Sequence, residues 1–197
     1  MIKGCRISDP SILVEGYERG DTGFFANVDA DKIQEVLEHF IALQDDRVFL
    51  ILEVPTNAKE EPKTESGALA SMHMDVYYWD GLPKEYAIDL LRKNGELLIH
   101  DGMSRFGFGA HSGNNEIMLD YYNVVIIYTG TPNQYDGFFE SHQIPEVKNL
   151  QTAWEYFTDN TPGECALYHR NGKTIYDFVD FLKPYGLYFA ERREKWQ

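Results

Sequence analysis

The chain has 197 residues, 32 of them acidic against 18 basic, for a formal charge of −14; such a field repels nucleic-acid phosphates and anionic membranes and suits a basic protein partner. Hydrophobic residues make up 43% and charged residues 25%, an ordinary globular composition that excludes a disordered or fibrous chain. A single domain over 1–197 buries roughly 70% of its unfolded surface and needs no cofactor, metal or disulfide to hold it.

The opening MIKGCRISDP lacks the apolar stretch of a signal peptide. The longest apolar runs, 48–52 and 124–128, have strand length rather than the roughly 20 residues of a membrane span. Cys5 and Cys165 match neither a metal-ligand spacing nor a secreted disulfide framework. A reducing cytoplasm is the expected compartment.

In chain order, 23–28 reads as a strand and 29–44 as a helix. Ile33, Val36, Leu37, Phe40 and Ile41 form its apolar stripe, with Asp29 as N-cap. The near-continuous apolar run 47–54 predicts a strand buried on both faces. Residues 56–67 carry Pro62, Gly67 and five charges, the pattern of an exposed loop. A second unit follows: a strand over 72–79, a helix over 83–94 stopped by Gly95, and a strand over 96–100. Two extended segments, 105–111 and 116–128, flank the turn Ser112-Gly113-Asn114-Asn115, with a bend expected near Tyr122-Asn123. Helices are expected over 135–143 and 150–158, a strand over 164–170, a helix capped by Thr174, and a closing strand over 187–192. The recurring strand–helix–strand order predicts an α+β fold, a mixed β-sheet with helices packed mainly on one face.

His73 and Asp75 sit two apart on an expected strand and so point the same way. With His100, Asp101 and His111 they supply the nitrogen and oxygen ligands of a zinc or iron site. Alternation that turns Met72, Met74 and Val76 inward sends His73 and Asp75 into solvent instead, and this is the favoured reading. Residues 105–111 (RFGFGAH) lack the third glycine and following helix of a dinucleotide loop; alternating Phe and Gly marks a bend or a close backbone approach. Cys165 and His169, four apart on an extended segment, stand roughly 13 Å apart, too far for a proton relay. Asp120, beside two tyrosines, is a further acidic group of interest. No catalytic residue is assigned.

The acidic and aromatic stretches remain. Tyr135, Asp136, Phe139 and Glu140 in one expected helix, and Glu155, Tyr156 and Asp159 in the next, combine ring anchors with steering carboxylates, the makings of a protein interface. Phe138, Trp154 and Phe157 would cover the apolar stripes of the same helices. The general character of the chain (its length, acidity, abundant Tyr, and lack of a catalytic motif or export signal) resembles that of bacterial immunity proteins. That resemblance implies a stoichiometric inhibitor whose acidic face covers the active site of a basic toxin domain such as a nuclease. The alternatives are a metal-dependent enzyme built on His73, Asp75, His100 and His111, and an intracellular adaptor.

Overall fold

The computed structural model describes residues 1–45, 47–64, 66 and 71–194. In chain order its elements are β1 (Cys5–Arg6), β2 (Gly16–Gly20), β3 (Gly23–Asn27), α1 (Ile33–Leu43), β4 (Arg47–Pro55), β5 (His73–Pro83), α2 (Lys84–His100), β6 (Arg105–Ala110), β7 (Asn115–Leu119), β8 (Val124–Tyr128), β9 (Glu164–Cys165), α3 (Ile175–Leu182) and β10 (Tyr188–Glu194). Short 3-10 turns, among them Pro132–Tyr135, Glu140–His142 and Ala153–Tyr156, occupy the stretch between β8 and β9.

Eight strands form one sheet in the order β10-β5-β4-β6-β7-β8-β3-β2, and β1 pairs separately with β9. The fold is α+β, as expected, but every ladder between these strands is antiparallel, so the sheet is not mixed. The crossovers explain the difference. Strands β3 and β4, joined through α1, point the same way but have β6, β7 and β8 between them; β5 and β6, joined through α2, flank β4. Each link therefore joins same-direction strands that never touch, and antiparallel neighbours fill the gaps.

Local sequence accounts for most boundaries. The stripe Ile33, Val36, Leu37, Phe40 and Ile41 is buried along α1, although Lys32, not Asp29, takes the N-cap position. Helix α2 runs through Gly95 to His100, so the strand expected over 96–100 is its last turn, with Leu97, Leu98 and Ile99 buried. Gly95 does not stop the helix; it marks the place where α2 meets α1. A Cβ there would sit 2.7 Å from the Gln34 side-chain oxygen, and that packing offsets the roughly 1 kcal/mol a helical glycine costs. The long segment 116–128 breaks into β7 and β8 at the turn Tyr121–Asn123, where Tyr122 and Asn123 adopt positive φ (58° and 68°). Residues 135–143 and 150–158 wind as 3-10 turns rather than helices, and only two residues of 164–170 pair as a strand. Thr174 caps α3 in a capping box with Asp177, and β10 closes the sheet edge. Of the loop 56–67, positions 65 and 67 lie outside the described residues. Thr56 and Glu61 are buried rather than exposed, Thr56 donating to Asp75 and Glu61 accepting from the His73 backbone, both at 2.6 Å.

Strand alternation divides the core. Val48, Leu50, Leu52 and Val54 of β4 pack with the buried residues of α1, α2 and α3, whereas Phe49 and Ile51 join Val76 and Met118 in a second cluster that contains no helix residue. Val76 is thus buried away from the helices, and Asp75 shares the helix-side face with Tyr77, contrary to the outward placement expected of it. Glu53, on the second face, is only 3% exposed. Arg105 stands directly opposite it on β6 and donates through Nε at 2.9 Å and again through Nη2. Arg193 of β10 donates to the other carboxylate oxygen at 3.2 Å. One carboxylate thereby ties β4 to a neighbour on one side and to a strand two places away on the other.

Removing a buried ion partner strands the opposing charge. Glu53→Gln leaves Arg105 with Asp120 and is therefore expected to lower the unfolding free energy by about 1–3 kcal/mol. Arg193→Ala removes a side chain that is 42% exposed, and should cost under about 1 kcal/mol. Urea denaturation of the two variants checks both values.

Candidate functional site

The residues expected to form an acidic, aromatic interface do not share one surface. Tyr135 and Phe139 are buried. The Tyr135 ring stacks on Phe40 at 5.8 Å and its hydroxyl accepts from Gln44, while Phe139 stacks on Tyr17 at 4.9 Å. These rings are core because the 3-10 turns send them inward and leave the intervening carboxylates outside. Asp136 pairs with Arg19 at 2.7 Å, and Glu140 accepts from the Tyr17 hydroxyl at 2.5 Å. Burial, followed by that Glu140 contact, pushes the Tyr17 hydroxyl pKa up. Glu155 is used locally, accepting from Thr152 as the cap of its turn; Tyr156 donates to Gln151. Asp159 stands at a separate cavity with Trp154 and Phe157.

The candidate metal ligands also go to different places. His73 meets Glu61 at 2.6 Å, and Asp75 accepts from Thr56 and from Arg192, the latter at 2.7 Å. His100, at the end of α2, packs edge-on against Tyr168. Asp101 is buried, accepts from the Tyr168 backbone at 2.8 Å, and has its pKa raised by burial. His111 lies over Phe49 and near Asp80 at 3.3 Å. Among the described residues no three His, Cys, Asp or Glu side chains converge as metal ligands would. Cys165 faces Cys5, whereas His169 is exposed. Asp120 caps the Tyr121 turn and lies 3.6 Å from Arg105; burial raises its pKa and the guanidinium works against that rise.

The site that sequence reasoning missed lies on the sheet face away from the helices. There a cavity of about 670 Å3 opens across β4, β5, β7, β8, β10 and the β6–β7 turn, lined by Phe49, Tyr78, Asp80, His111, Glu116, Tyr128 and Tyr188. Its floor follows from the Phe-Gly alternation of β6. Phe106 and Phe108 enter the helix-side core, and Gly107 and Gly109, which alternate with them, face the other way. A Cβ on Gly109 would sit 2.2 Å from the Phe49 ring, so only glycine lets that ring lie down on the sheet. Tyr128 and Tyr188 remain 45% and 48% exposed at the rim. Asp80 accepts from the Tyr188 hydroxyl at 2.6 Å. Glu116 is half-buried, and burial, with Glu53 adding to it, raises its pKa.

This geometry defines the protein only as a class: an α+β chain with helices on one sheet face and an aromatic, acidic cavity on the other. No protein-family model matches the chain, and no curated protein or solved structure is significantly similar to it. Among the described residues no helix is long and apolar enough to cross a membrane.

Beside the buried rings, His39 of α1 and His142 share a hydrogen bond at 2.9 Å, and Phe138 stacks on His39. Burial depresses both imidazole pKa values below the ordinary 6.5; for His142, His39 and Lys32 add to this and Glu35 opposes it. A depressed folded pKa contributes stability that is present above the unfolded value and lost as pH falls through the folded one. Thermal stability should therefore decline as pH drops from about 6.5 toward 5, and His142→Gln should flatten that decline. Melting curves across the window measure it.

Proposed function

We propose that the chain is a protein-binding module that takes a basic partner segment in the cavity on the helix-free face of its sheet. The observation that carries this reading is Glu116: a half-buried carboxylate, without an ion pair among the described residues, set in a cavity walled by Tyr78, Tyr128 and Tyr188. A carboxylate denied full solvation gains from an arriving ammonium or guanidinium, and the exposed tyrosine faces add cation–π attraction. The excess of 32 acidic over 18 basic residues steers such a partner toward the chain. Strands rather than loops carry most of the wall, so little order has to be gained on binding. The resemblance in general character to immunity proteins supports a basic toxin domain as that partner, held as a stoichiometric complex.

A short Arg/Lys-rich peptide titrated into the protein by calorimetry tests the site. One-to-one binding is expected, weakened roughly tenfold by Glu116→Gln and by Tyr128→Ala. Asp136→Asn, on the helix side, should leave it unchanged. Equal affinity in all three variants, or a loss only with Asp136→Asn, would sink the reading.

A further inference from the structure

We infer that Cys5 and Cys165 form a redox-active dithiol, oxidised to an intramolecular disulfide by a small neutral disulfide that enters the aromatic cavity beside Cys165. The two cysteines are direct partners in the β1–β9 ladder, and their sulfurs lie 3.8 Å apart. Directly opposed residues of an antiparallel pair have Cα atoms about 4.5–5.5 Å apart, inside the range a disulfide spans. The bond therefore needs side-chain rotation and little backbone movement.

A backbone clasp holds the pair in place. Gly4 N donates to His100 O at 2.9 Å, Ala166 N to Gly4 O at 2.8 Å, and Gly102 N to Ala166 O at 3.1 Å. Gly4 and Gly102 approach so closely that a Cβ on the first would sit 2.2 Å from the backbone of the second. Two glycines at these positions let the chain's first residues press against 165–166.

The two thiols are not equivalent. Cys5 is 3% exposed, and the neighbouring Cys165 thiol, together with burial, pushes its pKa far up. Cys165 lines a cavity of about 560 Å3 with Tyr122, Trp154, Phe157 and Asp159, and its thiol donates to the Tyr122 hydroxyl at 3.2 Å. Access thus assigns the first step to Cys165 and the second to Cys5. Cys165 loses its proton, and its thiolate attacks one sulfur of the reagent R–S–S–R. The S–S bond breaks, one RS⁻ leaves, and Cys165 carries a mixed disulfide. Cys5 then loses its proton and attacks the Cys165 sulfur, expelling the second RS⁻. Two electrons pass from the protein dithiol to the reagent, and the two protons released end on two molecules of RSH.

The test uses the full reduced chain, incubated with hydroxyethyl disulfide, then treated with iodoacetamide and weighed intact. The expected product is lighter by two hydrogens, unalkylated and monomeric, and it melts at a higher temperature than the reduced chain because the new bond constrains the unfolded state. Cys5→Ser should stall with one hydroxyethyl-disulfide adduct on Cys165. Cys165→Ser should leave Cys5 unmodified in the folded protein. Two alkylated thiols after incubation, an adduct that persists on Cys165 of the native chain, or disulfide-linked dimers would each overturn the inference.

Discussion

One buried carboxylate sets the conditions for the helix-free face. Glu53 lies in the middle of β4, and its two oxygens are taken by guanidiniums that come from opposite directions, Arg105 from β6 and Arg193 from β10. A carboxylate left alone at that depth would neutralise or draw in water, because burial penalises its charge by several kcal/mol. Two donors in place turn the same burial into a constraint on strand positions. Strand β10 needs it most: its seven residues are all exposed, so it contributes almost no core of its own. Beyond its ladder with β5, Arg192 to Asp75 and Arg193 to Glu53 help to hold it down, alongside Tyr188 to Asp80 and the Phe189 ring against Tyr77. Since β10 also supplies Tyr188 and Ala190 to the wall of the large cavity, the shape of that cavity depends on an ion network that none of its own lining residues forms.

How far this was legible in the sequence depends on the range of the information each feature needs. The α1 stripe, the doubly buried β4 and the Thr174 cap are local patterns, and the structure keeps them. Gly95 looks locally like a helix stop because glycine commonly is one. Its actual reason, the approach of Gln34 from another helix, is tertiary and leaves no local mark. Residues 135–143 and 150–158 differ from the expected helices for a related cause. Rings alternating with carboxylates look like a helix with an interactive face, yet in the 3-10 turns Tyr135 and Phe139 go inward to Phe40 and Tyr17 while Asp136 and Glu140 stay out. The Phe-Gly run in β6 did announce a close approach; the partner, Phe49, could be named only once β4 and β6 were known to be neighbours. A cavity assembled from β4, β5, β7, β8 and β10 is invisible until strand order is known, and so is a contact between Cys5 and Cys165.

The charge imbalance links the cavity to the cysteine pair. Much of the basic complement is already engaged: Arg19, Arg92, Arg105, Arg170, Arg192 and Arg193 each lie in an ion pair. The surplus carboxylates are left to solvent or, like Glu116, to partial burial, where they favour protons and cations. At the helix-free face this selects for a basic partner. At Cys165 the same field repels an anionic reagent, and Asp159 on the cavity wall adds to that repulsion. An anionic disulfide such as oxidised glutathione should therefore react more slowly there than a neutral one of similar reactivity, and added salt should narrow the gap by screening. A pair shielded in this way reacts with small neutral reagents that the aromatic walls admit faster than with anionic ones. Acidity, which at first sight constrains only the choice of partner, thus also sets which oxidants the buried sulfurs can meet.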